Sequence, residues 1–170
     1  MKNWKKVFRI PYECTASTKL QTLHYRIVHR YLPTKRYLYV RGVVESQLCP
    51  ECDEVDTLEH CLYQCIDVRD IWSSMFSLIH TTSQEPVELV LFGIEDGRQA
   101  ANVILLLVKQ YIVGCKLSRS ASRPSMGAVK GYLNNYIMME KRNAVINLRE
   151  SKFNDKWQGF IDDNACIRLK

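Results

Sequence analysis

Apolar residues return every three or four positions along most of this chain, which predicts a mostly α-helical protein. After a cap at Thr15 or Ser17, Leu20, Leu23, Ile27 and Tyr31 make one stripe of a helix reaching about Tyr31. Lys19, Arg26 and Arg30 run beside that stripe. Pro33-Thr34 ends this helix and opens another through Tyr37, Leu38 and Val40 to about Gly42. The periodicity then lapses, and the polar stretch Glu45 to Asp56 reads as a loop. Thr57 is placed to cap a helix that begins Leu58-Glu59-His60 and continues, with or without a break, through Trp72 and Phe76 to Ile79.

Residues 81–88 read as a linker, and the short apolar run Val87 to Ile94, bounded by Gly93, fits either a strand or a buried turn. Gln99 to Leu117 predicts a strongly apolar helix with Arg98, Lys109 and Lys116 along one edge. A basic connector, Ser118 to Pro124, leads to a longer helix from Ser125 to about Glu150 and a short last one from Phe153 to Phe160. Lys109 and Lys116, with Asn102 and Gln110, make the Ala100–Leu117 run too polar to span a bilayer comfortably, so no membrane is expected.

Composition changes this picture little, but charge does. A 170-residue chain with 46% hydrophobic residues suits one domain, or one compact module with a helical appendage. The net charge of +6 is distributed unevenly. Residues 1–43 hold ten Lys/Arg against the single acid Glu13; residues 44–100 hold two against twelve acids; residues 101–170 hold twelve against five. Either the basic ends meet a polyanion, or the acidic middle neutralises folded basic flanks. Seven cysteines, an odd number, weaken a closed disulfide framework, and the N-terminus shows no continuous apolar signal region. A reduced interior, nuclear or cytoplasmic, is expected.

The chemistry concentrates in C49-P-E-C52-x7-H60-x4-C65. A C-x2-C knuckle presents two thiolates from one tight turn, and His60 and Cys65 complete a tetrahedral shell for one zinc ion at about 2.0–2.3 Å. With four protein ligands no position is left for water or substrate, so the metal is structural. The loop has too few apolar residues to fold by burial, which makes metal binding its main stabilising contribution. Residues five apart on a regular α-helix lie about 140° from each other, so the helix must tighten or end near Gln64 for His60 and Cys65 to share a metal. The alternative is Cys61, four before Cys65, in place of His60. Cys14, Cys115 and Cys166 read as small core residues.

The chain resembles the zinc-binding domain found behind the polymerase of LINE-type, non-LTR retrotransposon reverse transcriptases. The resemblance rests on Trp4 with Phe8, on KLQTLHYRIVHRYLPTKRYLYVRGV at 19–43, on the Cys/His set with Thr57 three before His60, and on Trp72 seven after Cys65. LFG at 91–93, ILLLVKQYIVGCKL at 104–117 and FNDKW at 153–157 are similar to the tail of such polyproteins. It implies a mostly α architecture: a small helical domain with a CCHC zinc-knuckle loop over residues 1–80, a linker over 81–98, and a helical C-terminal tail over 99–170. It implies Cys49, Cys52, His60 and Cys65 as ligands, Trp72 as a packing residue, and a role in holding template RNA or target DNA beside an upstream polymerase domain. The family's polymerase and endonuclease regions are not in this sequence, and Cys61 is an extra thiol beside the motif.

No enzymatic constellation competes. Phe160-Ile161-Asp162-Asp163 has the shape of a polymerase F-x-D-D signature but lacks the further upstream carboxylate that two-metal catalysis needs. Glu150-x-Lys152 matches only three residues of a nuclease signature, and no small-molecule substrate is expected. For nucleic acid the candidates are Lys19, Arg26, Arg30, Lys35, Arg36 and Tyr37, with Tyr25 and Tyr39 interleaved, and a second patch at Lys116, Arg119 and Arg123. Contacts from such surfaces are salt-dependent and insensitive to sequence. The rival expectation is a protein-interaction module whose basic helices dock on an acidic partner or on its own polymerase domain, or a remnant without function.

Overall fold

Helix α1, Trp4–Cys14, forms where the sequence pattern predicts no element. Asn3 Oδ1 caps it by accepting from Lys6 N, and Val7, Ile10 and Cys14 bury one stripe. Pro11 inside the helix obscures that stripe. Lacking an N–H, it leaves the Val7 carbonyl without its helical donor, and His24 Nε2 lies 3.0 Å from that oxygen. Burial lowers the His24 pKa to about 3, with nearby Lys109 adding to the effect, so Nε2 carries the proton and donates to Val7 O.

In this computed structural model, which describes residues 2–81, 84–117, 123–162 and 164–168, α2 (Thr18–Val28) buries Leu20, Leu23, His24 and Ile27. It stops earlier than expected because Arg30 turns left-handed at φ 57°. The Tyr31 and Arg30 amides then close on Arg26 O (2.7 Å) and Ile27 O (3.0 Å), the paired bonds of a Schellman end. Helix α3 (Lys35–Tyr39) starts at Thr34, whose Oγ1 accepts from Tyr37 N. Helix α4 (Ile66–Leu78) buries Val68, Ile71, Trp72 and Met75.

The run around Val87 is neither strand nor simple turn: it is helix α5, Pro86–Phe92, begun by a proline at its first turn and ended at Gly93. Gly93 has φ 82°, and a Cβ there would stand 2.8 Å from Asn102 Oδ1 and 3.2 Å from Ile10 Cδ1, so only glycine fits. Asn102 holds the following residue, accepting from Ile94 N and donating to Ile94 O.

Helix α6 (Gln99–Leu117) is the axis of the fold; Ala100 to Lys109 are buried without a break. A helix apolar on all sides must be surrounded, and α1, α2, α4, α7 and α8 all contact it. Lys109 was expected along one edge with Arg98 and Lys116. It is 1% exposed, with Leu91 O 3.5 Å from Nζ, and burial lowers its pKa to about 7. Helices α7 (Met126–Ile146) and α8 (Glu150–Trp157) close the core with Val129, Leu133, Ile137, Phe153 and Trp157. A polar knot fastens them to the end of α1: Thr15 Oγ1 bonds Tyr136 OH at 2.6 Å, and Lys156 Nζ donates to Cys14 O and Glu140 Oε1. One hydrophobic cluster extends from Ile10 to Ile167, with residues from both sides of the 81–98 segment in it.

Candidate metal centre

The knuckle is a minimal hairpin built from local backbone bonds. Leu48 and Val55 form an isolated antiparallel bridge, Cys49 N donates to Glu54 O, and Asp53 N donates to Cys49 O. Asp53 takes φ 58°, a left-handed value that Asp tolerates better than most residues. The turn brings the Cys49 and Cys52 thiols to one side. Asp56 then anchors the exit strand by accepting from Lys35 N through Oδ2 and from Arg36 N through its carbonyl.

The chain returns through Thr57, whose Oγ1 accepts from His60 N as the expected cap. The next turn resolves the geometric conflict between His60 and Cys65. His60–Gln64 is a turn of π-helix, closed by Cys65 N donating to His60 O at 3.0 Å. An i→i+5 turn stacks residues five apart, so His60 and Cys65 share a face without leaving the helix axis. The backbone therefore widens where tightening was one expectation, and it also ends there: Cys65 has ψ 137° and begins α4. In a continuing α-helix Ile66 N would bond Leu62 O; here Ile66 N faces Cys52 Sγ at 3.5 Å, and Trp72 Nε1 takes its place at Leu62 O, 2.5 Å away. Trp72 is thus a packing residue that also satisfies a carbonyl released by the π-turn.

Cys49, Cys52, His60 and Cys65 converge, their ligand atoms all within 4.8 Å of one another. The Cys65 sulfur lies 3.5 Å from that of Cys52 and 3.9 Å from that of Cys49. Zn–S bonds of about 2.3 Å in a tetrahedron set sulfurs about 3.8 Å apart, whereas a disulfide needs about 2.05 Å. His60 Nδ1 sits 3.2 Å from Glu54 Oε2, while Nε2 is buried with no hydrogen-bond partner among the described residues. A carboxylate on one ring nitrogen and an empty lone pair on the other is how a metal-binding imidazole is oriented. The residues fit zinc. Bound there, the ion would tie the hairpin to the π-turn and supply no reaction chemistry. Cys61 lies outside the four, fully buried, its thiol pushed above the ordinary range by burial and by Asp56.

Three thiolates and one imidazole around a bound Zn2+ would leave one net negative charge, and a lysine 51 residues along the chain from Cys65 stands against it. Lys116 Nζ, at the end of α6, lies 2.8 Å from Cys65 Sγ and 3.9 Å from Asp67 Oδ2. Burial would lower its pKa, but the hydrogen bond and the charge of Cys65, with Cys49 and Cys61 behind it, outweigh that and raise it. The start of α4 adds the partial positive charge of its amides beside Cys65 and Cys52. Lys116 was expected on a nucleic-acid surface. Its side chain is only 12% exposed and turned toward the sulfurs, so it faces the candidate ligands rather than the open surface.

The other expected nucleic-acid residues separate. Lys19, Arg26 and Arg36 are exposed, with no ion pair among the described residues. Arg30 is exposed but bonds Glu59 at 2.6 Å. Lys35 is half-buried at the start of α3, and Tyr37 lies half-buried under the Arg41 guanidinium, 3.5 Å from its ring centroid. Arg119 falls outside the described residues, as does Asp163; Arg123 pairs with Glu51 of the knuckle. Sequence reasoning missed Glu54 and the place of Lys116 beside the candidate ligands. An acid next to a C-x2-C turn was a readable signal for the first, and nothing local signalled the second.

No curated protein and no solved structure matches the chain. Residues 1–72, which carry all four candidate ligands and end at Trp72, match the family model described as zinc-binding in reverse transcriptase, and the match supports a reverse-transcriptase-associated zinc domain over that stretch.

Proposed function

We propose that this chain is a zinc-stabilised, non-catalytic module that holds RNA or DNA without sequence preference, beside a polymerase of the LINE-type, non-LTR class and inside the reducing interior of the cell. The observation that carries the reading is the free basic surface on α2 and α3. Lys19, Arg26 and Arg36 stay exposed while Arg30 and Arg123 are engaged with Glu59 and Glu51 around the metal loop. The acidic middle thus neutralises part of the basic flank and leaves the remainder for phosphate. One structural zinc, by holding the loop in place, keeps α3 beside α2.

The test is binding of labelled RNA and DNA to the zinc-loaded chain against the variant Lys19→Glu/Arg26→Glu/Arg36→Glu. Loss of binding with unchanged zinc content is expected, together with a log–log salt slope of roughly 2–3 from three phosphate contacts. Unchanged affinity would refute the reading. The rival, docking on an acidic protein, uses the same cations; it is favoured if bulk nucleic acid fails to compete and the salt slope is shallow.

A further inference from the structure

Resting on that reading, we infer that α1 and α2 together form a stacking platform for unpaired bases, so that the ligand is a single strand. Phe8, Tyr25, His29 and Tyr31 gather around one imidazole at the surface. The His29 ring centroid lies 4.3 Å from Tyr25, 5.5 Å from Phe8 and 6.0 Å from Tyr31, the last pair within 20° of parallel. These rings are not core. Phe8 is 39% exposed, Tyr25 50% and Tyr31 54%, and His29 is exposed as well. Exposed aromatic rings gathered in one patch suit a contact site.

Charge decides the occupant. Lys5 stands three residues before Phe8 on α1, and Arg26 three before His29 on α2, so each cation shares a helix face with a ring. Both are exposed and form no ion pair among the described residues. Two acids of the surrounding segments are taken: Glu13 bonds Arg9 at 2.9 Å and Glu59 bonds Arg30. Aromatic faces interleaved with unpaired cations suit a strand whose bases are turned out and whose phosphates run alongside. A duplex keeps its base faces stacked inside and offers this surface only phosphate.

The experiment uses the full zinc-loaded chain, a fluorescein-labelled 12-nucleotide oligouridylate and a labelled 12-base-pair duplex, read by fluorescence anisotropy at one salt concentration. The chain should prefer the single strand. Tyr25→Ala and Tyr31→Ala should each bind it about 5- to 150-fold more weakly, with duplex binding, zinc content and salt slope unchanged. Tyr25→Phe, which keeps the ring, should bind as the parent does. Equal affinity for strand and duplex, with Tyr25→Ala like the parent, overturns the platform but leaves the basic-face reading standing and consigns the rings to a protein contact. Equal loss on strand and duplex also overturns it. No binding of either probe by the parent overturns both readings.

Discussion

Replacing Lys116 by Met should loosen the zinc without unfolding the chain. The ammonium donates to Cys65 Sγ at 2.8 Å from a side chain only 12% exposed, where solvent screens it poorly. A hydrogen bond to a charged group contributes about 1.5–3 kcal/mol, and loss of an outer partner of a metal ligand typically weakens metal binding about 10–100-fold; the two figures agree. Methionine keeps the stem and fills the space, so the deficit is electrostatic. The assay is competition for zinc against a chromophoric chelator at fixed pH, with the rate of zinc release under a thiol-alkylating reagent as a second readout. Affinity should fall and release should quicken, because a thiolate without its donor is the better nucleophile. Lys116→Arg should restore most of the affinity, and Lys130→Met, an exposed lysine on α7, should change nothing. Zinc affinity and release equal to the parent's, in a Lys116→Met chain with an unaltered helical spectrum, would refute the assignment and make the Lys116–Cys65 contact incidental.

Removing zinc with a chelator should deprotect amides from about residue 47 to 66 in hydrogen exchange while α6 stays protected, since α6 is held by apolar burial; uniform protection with and without metal would count against a structural ion. Gly93→Ala should cost about 2–4 kcal/mol in urea unfolding, from left-handed strain and the crowding of Asn102. Gly97→Ala, at φ 85° with nothing within 4 Å, should cost about half as much or less. Lys109→Met should stabilise the chain at pH 7.5 by about 1–4 kcal/mol. Its folded pKa of about 7 lies below the ordinary lysine value of 10.5, so between those values the unfolded chain holds the extra proton and stability falls as pH is lowered. That slope, at most about 1.4 kcal/mol per pH unit, should be present in the parent between pH 7.5 and 9.5 and missing from the variant; parallel stability curves would contradict it.

Much of the candidate site could be read along the chain, because its parts are close in sequence. The C-x2-C turn, the cap at Thr57 and the stripes of α2, α4 and α6 depend on spacing, and spacing survives in one dimension. The choice between His60 and Cys61 did not: it turned on one hydrogen bond, Cys65 N to His60 O, that widens the helix by a residue. Helix α1 escaped notice because Pro11 argues against a helix, and its missing donor is replaced by His24, thirteen residues further on. Helix α5 escaped because a run of seven residues is too short for periodicity to separate helix from strand.

What the sequence by itself determined is the set of local commitments: helical periods, the thiol and imidazole donors for one metal, and a basic N-terminal stretch with aromatic residues among the charges. The tertiary structure alone decided which charges remain free. Lys109 and Lys116 lie on the same helix, seven residues apart, and look alike in the sequence. Packing puts the first in the core, where burial holds its pKa down, and swings the second onto the sulfur of a cysteine 51 positions away. A cation's role depends on the dielectric and the partners around it, and those are supplied by segments the local pattern does not contain.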